Sequence, residues 1–402
     1  MSGPTLYDVA IAGAGPAGTT AACLLAEAGF SVVVLEREHF PRFHIGESLL
    51  PAELPIFERL GLDMSSFPKL YKDGADFLDE RQGKFHRFSF SEGLEGTRPH
   101  SYQVERAKFD LALLRRAEAL GAEVRQGVRV LSAELDEAPY TLRTSEGDVR
   151  ARYVLDATGR DRLLSKQHKS YQRIEGLGLA AVWAHFDKLS DEARAQLEDE
   201  GKGNITIMMV PNGWAWVIPL HGGRVSVGFV SAKKGVVSDD WFESEYAYSP
   251  FLQRITEGAE RSELVTAGDY SYTNPLPHGP GFGCIGDARG FLDPVFSSGV
   301  ALAMASASKL ADLLIPALER GEESDADLLL PLKEHMDHAY AVFGSVLRSF
   351  YHTNLVDNLF FYDDPDPELK AGLISILAGD LWRDDNRFQA MMLRRAARRR
   401  SA

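Results

Sequence analysis

The chain has 402 residues, of which 45% are hydrophobic and 25% charged, so we expect a globular nucleotide domain with a second domain built onto it. A net charge of −14 disfavours nucleic acid as a partner, and two cysteines in apolar surroundings, Cys23 and Cys284, argue against disulfides and a metal site. Apolar runs are too short to span a bilayer and no signal peptide precedes the first predicted strand, so we expect a cytoplasmic protein.

The first predicted elements, within residues 7–36, are a strand, a glycine turn, a helix and a second strand. Gly13, Gly15 and Gly18 have the spacing at which a pyrophosphate lies against the backbone and the helix N-terminus. Glu36 ends the second strand and can accept hydrogen bonds from a ribose hydroxyl, which favours FAD or NAD over a 2′-phosphorylated dinucleotide. A turn built only for packing is the alternative, but the flanking strands favour a dinucleotide site.

An ordered loop follows, reading FPRFHIGESLLP from Phe40 to Pro51, with two prolines bracketing a Gly-Glu-Ser turn. After an FAD fingerprint, this phrase resembles the flavin-dependent halogenases, in particular those that act on phenols and pyrroles. In that family the loop lies along the flavin, which implies cofactor contacts at Gly46, Glu47 and Ser48. A loop that merely covers the nucleotide domain is the alternative.

The next motif, LYKDGADF, places Lys72 before a predicted turn. Without other information, an exposed surface lysine would be the ordinary interpretation. The halogenases, however, carry a lysine in a comparable K-x-G-A-x-F context, buried between flavin and substrate, where it delivers the halogen. The resemblance therefore implies that Lys72 is catalytic, with Lys69 and Lys84 as nearby competitors.

Two further motifs resemble the wider FAD monooxygenase superfamily. The pattern V-x-R-x-x-F-D opens a predicted helix and implies that Arg106 approaches the flavin nucleotide. The turn Ala157-Thr158-Gly159 ends a strand that returns to the first sheet, in a region where aromatic hydroxylases usually show a D-G pair. The resemblance adds further cofactor contacts at Ala17, Arg37, Val130, Asp287 and Pro294.

Alternating strands between residues 178 and 230 predict an antiparallel sheet, and they include GWAWVIP at 213–219. Trp214 and Trp216 occupy alternate positions and so share one face of a strand. A face packed into a core is the ordinary interpretation. The pattern W-x-W-x-I-P is nevertheless associated with flavin-dependent halogenases, although geranylgeranyl reductases carry a similar motif. It implies a narrow passage between flavin and substrate. The implied tunnel residues are Trp214, Trp216, Ile218, Pro219 and Phe296.

The motif FLDPVFSSG follows the second FAD motif, GCIGDA, and leads directly into a predicted helix. The backbone N–H groups of Ser298 and Gly299 lie at that helix N-terminus, where a small anion is stabilised. In the halogenases this is the halide site. An ordinary N-cap formed by Ser297 or Ser298 is the alternative, and the two can coexist. Tryptophan halogenases carry a glutamate where this chain has Phe296, which implies a substrate that supplies its own activation, such as a phenol or pyrrole.

These motifs predict an α/β protein with a Rossmann-like FAD-binding domain of the p-hydroxybenzoate hydroxylase type, an antiparallel-sheet substrate domain and a C-terminal helical region. The predicted segments are 1–175 (FAD, with 70–100 on the substrate side), 176–275 (substrate), 276–325 (FAD) and 326–402 (helical).

The resemblance implies an FAD-dependent halogenase in secondary metabolite biosynthesis. It would use FADH2 from a separate NAD(P)H flavin reductase, O2, and chloride or bromide to make hypohalous acid. Its aromatic substrate would be free or tethered to an acyl or peptidyl carrier protein. The alternatives are an aromatic hydroxylase, a geranylgeranyl-reductase-like enzyme and a flavin-binding redox-responsive module without turnover.

Overall fold

The strands and helices come from a computed structural model that describes residues 5–400, apart from positions 179, 232, 269, 354, 356, 358, 359, 363 and 364. The strands are β1 (Leu6–Ala12), β2 (Val32–Glu36), β3 (Lys69–Lys72), β4 (Gly74–Asp79), β5 (Lys84–Ser89), β6 (Ser101–Val104), β7 (Glu123–Gln126), β8 (Val130–Glu134), β9 (Tyr140–Thr144), β10 (Gly147–Asp156), β11 (Gln172–Arg173), β12 (Ala180–Asp187), β13 (Ile205–Val210), β14 (Gly213–Leu220), β15 (Arg224–Ser231), β16 (Glu260–Arg261), β17 (Val265–Gly268), β18 (Tyr272–Thr273), β19 (His278–Gly279), β20 (Phe282–Cys284) and β21 (Gly290–Phe291).

The helices are α1 (Pro16–Glu27), α2 (Leu54–Leu60), α3 (Arg106–Ala119), α4 (Leu163–Gln167), α5 (Asp191–Arg194), α6 (Asp239–Tyr248), α7 (Pro250–Ile255), α8 (Ser298–Arg320), α9 (Leu330–His352), α10 (Pro367–Leu377) and α11 (Arg387–Arg400). A π-helical segment, Ala195–Glu200, continues α5. Short 3-10 turns lie at Pro51–Glu53, Phe90–Glu92, Gly159–Asp161, Gly286–Ala288 and Pro294–Phe296.

The first sheet places the glycine turn at the end of its central strand. Its order is β19-β20-β10-β1-β2-β7, with β9 paired to β10 and β8 paired to β9. The strands β20, β10, β1, β2 and β7 run parallel, and Ala12 pairs with Asp156 at the carboxyl end. Crossover helices such as α1 join parallel strands, and ligands bind at the carboxyl edge of such sheets. The predicted Rossmann-like unit is confirmed.

The second sheet carries the tryptophan motif on β14. Its order is β16-β12-β15-β14-β13-β4-β5, with β17 paired to β12. Neighbouring strands are antiparallel except β13 and β4, which run parallel, with Ile205 opposite Ala75. The antiparallel prediction for residues 178–230 is confirmed. The parallel pair arises because β4 and β5 come from residues 74–89, far earlier in the chain than the predicted strands.

Helix α8 packs against α1 and α9. Among the described helices it alone has the length and mean hydropathy, 1.4, that would let it cross a membrane, but 61% of that stretch is buried. The largest apolar core contains residues of both sheets and of α9 and α10. This confirms the predicted α/β fold with C-terminal helices, while the four-segment division stays a prediction.

Candidate active site

In the glycine turn, Gly13 and Gly18 lie so close to other backbone atoms that a side chain would collide, whereas Gly15 has space beside it. Gly13 has φ +100°, and a Cβ there would stand 2.4 Å from the Ala157 carbonyl oxygen. A Cβ on Gly18 would stand 2.0 Å from the Gly13 carbonyl oxygen. At Gly15, by contrast, the nearest atom to an added Cβ is Nη2 of Arg42, 3.8 Å away. The space at Gly15, facing the N-terminus of α1, fits a dinucleotide pyrophosphate.

Glu36 ends β2 beside this turn and is buried. Its carboxylate accepts hydrogen bonds from the backbone N–H groups of Ala14, at 2.8 Å, and Glu38, at 2.9 Å. A carboxylate has about four acceptor positions, so lone pairs remain for a ribose hydroxyl. The position and orientation of Glu36 therefore fit the predicted cofactor contact.

Arg106 holds in place the loop from Phe40 to Pro51, the predicted flavin loop. Its guanidinium forms two hydrogen bonds to Asp110, at 2.8 and 2.9 Å, and donates to the carbonyl oxygen of Ile45 at 2.9 Å. Asp287 lies in the same electrostatic environment: burial raises its pKa to about 6, against the opposing effect of Arg106. The structure thus brings the second FAD motif and the loop together around Arg106. The i,i+4 spacing of Arg106 and Asp110 on α3 is the sequence signal that indicates this ion pair.

The remaining predicted cofactor residues lie around the first sheet and its turns. Ala17 is buried in the first turn of α1, and Val130 opens β8. Pro294 begins the 3-10 turn before α8. Arg37 lies at the surface and forms an ion pair with Asp161, so it has the weakest structural support of the set.

Strand β6 lies between β3, which carries Lys72, and the flavin loop. Gln103 of β6 pairs with Leu70 of β3 on one edge and with Ser48 of the loop on the other. The Lys72 Nζ donates to the Ser48 hydroxyl at 2.9 Å and to the Leu49 carbonyl oxygen at 2.8 Å. The strand pairing therefore anchors a buried amine directly beside the predicted flavin contacts.

Burial sets the protonation of this amine. Lys72 is 1% exposed, and its Nζ lies 5.2 Å from the centre of the Phe90 ring. Loss of hydration lowers its pKa from 10.5 to about 7. The competitors are different: Lys69 donates to the Met64 carbonyl oxygen, and Lys84 forms an ion pair with Asp357 at 2.8 Å with its side chain 37% exposed. The structure favours Lys72 over both.

Trp214 and Trp216 lie side by side on one face of β14, with ring centres 6.0 Å apart. Both are buried, and Ile218 continues the same face. Pro219 does not: side chains alternate along a strand, so it shares the opposite face with Val217. Its role as a tunnel residue stays a prediction, one that the alternation of side chains along β14 does not support. Phe296 lies in the turn before α8 and packs edge-on against Phe350.

A buried hydrogen-bond chain that the sequence did not predict links the tryptophan face to the predicted halide turn. The indole N–H of Trp214 donates to the Tyr351 hydroxyl at 2.9 Å, which donates to Asp293 at 2.9 Å. Asp293 also accepts from the backbone N–H groups of Gly178 and Val295, at 2.7 and 3.0 Å. Burial raises the Asp293 pKa to about 6. These partners are up to 137 residues apart, and no local pattern signals them.

The predicted halide turn leads into α8 without a capping side chain. Ser297 stands at the N-cap with φ 56°, a left-handed conformation, and accepts no hydrogen bond from the first turn. The capping alternative for Ser297 is therefore not observed. The first backbone N–H groups of a helix have no intrahelical acceptor, so Ser298 and Gly299 can donate to an anion. The donor set fits a halide.

Glu47, in the flavin loop, contacts the second sheet. Its carboxylate pairs with His185 Nε2 of β12 at 2.7 Å, and its other oxygen is buried with no hydrogen-bond partner among the described residues. The pair fastens the loop to the sheet that carries Trp214 and Trp216. His185 was not among the predicted residues.

Comparison with known proteins gives consistent matches over nearly the whole chain. The tryptophan halogenase family model matches residues 8–98 and 81–372. A 1H-pyrrole-2-carbonyl-(peptidyl-carrier protein) chlorinase of Pseudomonas fluorescens is 30% identical, covering 94% of this chain and 90% of the relative. Among solved structures, a flavoprotein/dehydrogenase from Cytophaga hutchinsonii superposes with a TM-score of 0.85, 28% identity and 99% of both chains covered. The flavin-dependent brominase Bmp2 superposes with a TM-score of 0.83, 26% identity and the same coverage.

Proposed function

Because this chain belongs to the tryptophan halogenase family of flavin-dependent halogenases, we propose that it halogenates an electron-rich aromatic ring, a phenol or a pyrrole, through Lys72. The observation that carries the proposal is a single buried amine hydrogen-bonded to the flavin loop at Ser48 and Leu49. FAD, supplied reduced, would provide together with O2 the oxidising equivalent that converts a halide ion into hypohalous acid.

The residues of the chain then have separate tasks. Ser298 and Gly299 hold the halide through backbone N–H groups. Trp214 and Trp216 present buried indole rings that exclude the aromatic substrate from the flavin side and leave passage for a small molecule. The arrangement confines hypohalous acid on its way to Lys72.

Lys72 receives the halogen as a neutral amine. Its nitrogen lone pair attacks the halogen of hypohalous acid, the halogen–oxygen bond breaks, and the departing hydroxide takes the displaced N–H proton as water. The aromatic ring then attacks the halogen of the haloamine. The nitrogen–halogen bond breaks, the ring loses its proton, and the amine regains one. The fixed orientation of the aromatic ring against the haloamine directs the halogen to one ring carbon.

Support for a phenol or pyrrole comes from the surroundings of Lys72 and from Phe296. The amine lies at the edge of an aromatic cluster, where Phe90 packs edge-on against Phe88 at 5.8 Å and Phe88 lies 6.3 Å from Phe77. Phe296 supplies no carboxylate beside the halide turn, so a ring activated by its own oxygen or nitrogen is favoured. A relative named for a carrier-bound pyrrole supports a tethered substrate as one form.

The test is mass spectrometry of a phenol and pyrrole panel, with L-tryptophan included, after incubation with the protein, a flavin reductase, FAD and NADH. We expect a product with a halogen isotope pattern from a phenol or pyrrole, only when chloride or bromide is present, and none from tryptophan. A hydroxylated product formed without halide would identify an aromatic hydroxylase instead.

A separate reductase is a further part of the proposal, since the sequence has one dinucleotide fingerprint. Stopped-flow absorbance of the FAD-loaded protein mixed with NADH alone should show a stable oxidised flavin spectrum. Rapid bleaching of the flavin would show that the chain reduces its own cofactor and would rule out the two-component arrangement.

A further inference from the structure

Glu53 is a buried carboxyl close to Lys72 that no motif indicated. It ends the 3-10 turn Pro51–Glu53, which packs against α8, and its exposed fraction is 0%. One carboxylate oxygen, Oε2, accepts the backbone N–H of Leu50. The other, Oε1, has no hydrogen-bond partner within the part of the chain that the structure describes. A buried carboxyl with an unsatisfied oxygen is costly, and such groups often mark functional sites.

One peptide group connects Glu53 to Lys72. The Lys72 Nζ donates to the Leu49 carbonyl oxygen at 2.8 Å, and the N–H of the same peptide unit, on Leu50, donates to Glu53. In a trans peptide these two groups point in opposite directions, so the amine and the carboxyl lie at opposite ends of one dipole. Hydrogen bonds in series polarise one another inside a protein. The two side chains are therefore coupled without a direct ion pair.

We propose that Glu53 is the acid–base partner of Lys72, acting through the Leu49–Leu50 peptide to set the protonation of the Lys72 amine. Glu53 is a positioning residue: it acts on the amine and not on the substrate. The inference rests on the proposed role of Lys72 for its meaning in catalysis, but the coupling itself does not depend on that role.

The charged groups around Glu53 and Lys72 support the coupling of these two side chains. The charged group that acts on Lys72 is Glu53, and those that act on Glu53 are Lys72 and Arg106. Arg106 is already committed to Asp110. Burial raises the Glu53 pKa to about 8 and lowers the Lys72 pKa to about 7. Both shifts favour the neutral forms, so near neutral pH the carboxyl is chiefly protonated and the amine is about half neutral, with the ion pair as a minor form.

The test follows the Lys72 amine directly in the full chain with oxidised FAD bound. Lysine labelled with 13C at Cε reports the amine by NMR, and the Lys72 signal is assigned by its absence in Lys72→Arg. In Glu53→Gln the amide oxygen can still accept the Leu50 N–H, but no carboxylate can form. The carboxylate of the minor ion-pair form favours the ammonium, and Glu53→Gln removes that form, so the Lys72 titration midpoint should fall in Glu53→Gln by roughly 0.3 pH unit.

Glu245→Gln is the matched control, because Glu245 is a buried carboxyl on α6, where it pairs with Arg81 instead. It should leave the Lys72 midpoint unchanged. Glu53→Asp keeps a carboxyl at the position and should give a midpoint nearer that of the parent than Glu53→Gln does, which provides a second variant if Glu53→Gln folds poorly. A Lys72 midpoint that is the same in Glu53→Gln as in the parent, or higher, would overturn the coupling.

The pH dependence of halogenation separates this inference from the proposed function. If Lys72 carries the halogen, the acid limb of the rate profile should move to lower pH in Glu53→Gln together with the NMR midpoint. A shifted midpoint with an unshifted rate profile would support the coupling and contradict the catalytic role of Lys72.

Discussion

The Lys72 amine is shielded from water between the flavin loop and the Phe90 ring, and burial lowers its pKa to about 7. A lysine at its usual pKa would be almost entirely ammonium at neutral pH and unable to attack hypohalous acid. At about 7, half of the amine is neutral. The sequence motif around Lys72 gives no indication of this lowered pKa, because the burial that causes it depends on how distant parts of the chain pack around the amine.

The lowered pKa predicts the direction of the pH dependence. Because the neutral form is the nucleophile, the rate of halogenation in single turnovers with reduced FAD should rise as pH increases through about 7 and then level off. Flavin reoxidation, followed in the same samples, serves as the control and should not show this limb. A rate that falls through the same range would mean that the ammonium form holds the hypohalous acid by a hydrogen bond.

Gly15 gives a second prediction at the level of one residue. An added side chain at Gly15 meets only Arg42 within 4 Å, so Gly15→Val should fold normally while filling the pyrophosphate space. We expect FAD affinity, measured by fluorescence titration, to fall at least about tenfold, the effect of about 1.4 kcal/mol. Ala28→Val, at the exposed opposite end of α1, is the control and should bind FAD normally. Unchanged FAD affinity in a folded Gly15→Val protein would place the cofactor elsewhere.

At the scale of elements, the Trp214 and Trp216 face of β14 is linked by hydrogen bonds to the predicted halide turn that leads into α8. Tyr351 on α9 joins Trp214 to Asp293, and Asp293 stands just before the turn that leads into α8. Three elements from distant parts of the chain thus share one buried polar chain. Removing its central hydroxyl leaves a buried indole N–H without a partner, at a cost of roughly 1–3 kcal/mol.

We therefore expect Tyr351→Phe to loosen the packing of Trp214 and Trp216 more than it destabilises the fold. Hypohalous acid should escape more readily, so halogenation of a diffusible trap should increase and halogenated aromatic product should decrease per flavin oxidised. Tyr246→Phe, whose hydroxyl bonds to Thr256 on the outer side of the second sheet, is the matched control. If Tyr351→Phe releases no more oxidant than the control, the hydrogen-bond chain has no part in confinement.

Local patterns predicted those elements whose geometry depends on near neighbours in sequence. The turn at Gly13, the strand ending at Glu36 and the paired indoles of Trp214 and Trp216 were all predicted from spacing and periodicity. The parallel join of β13 to β4 was not, because it pairs Ile205 with Ala75 across a long crossover. The motif groups Pro219 with Trp214 and Trp216, although side chains alternate along a strand and place it on the face opposite the two indoles.

At the scale of the whole molecule, residues of both sheets meet in the largest apolar core. The flavin loop, β14 and the start of α8 contribute residues to this core, and Lys72 of β3 hydrogen-bonds to the loop. The motifs in the sequence predicted the flavin loop, Lys72, the tryptophan pair and the halide turn. The partners that tune them, Glu53 and Tyr351, were missed because burial and long-range contacts, not residue type, determine their role.

The measurement that tests the central claim most directly is the amount of halogenated product formed per reduced flavin oxidised, in the parent, Lys72→Ala and the control Lys84→Ala. The account predicts that Lys72→Ala binds FAD and reoxidises reduced FAD at nearly the parent rate, because neither step uses the amine, yet yields essentially no halogenated product. Lys84→Ala should match the parent, since its amine is paired with Asp357 at the surface. Halogenation by Lys72→Ala at the parent's yield would contradict the account.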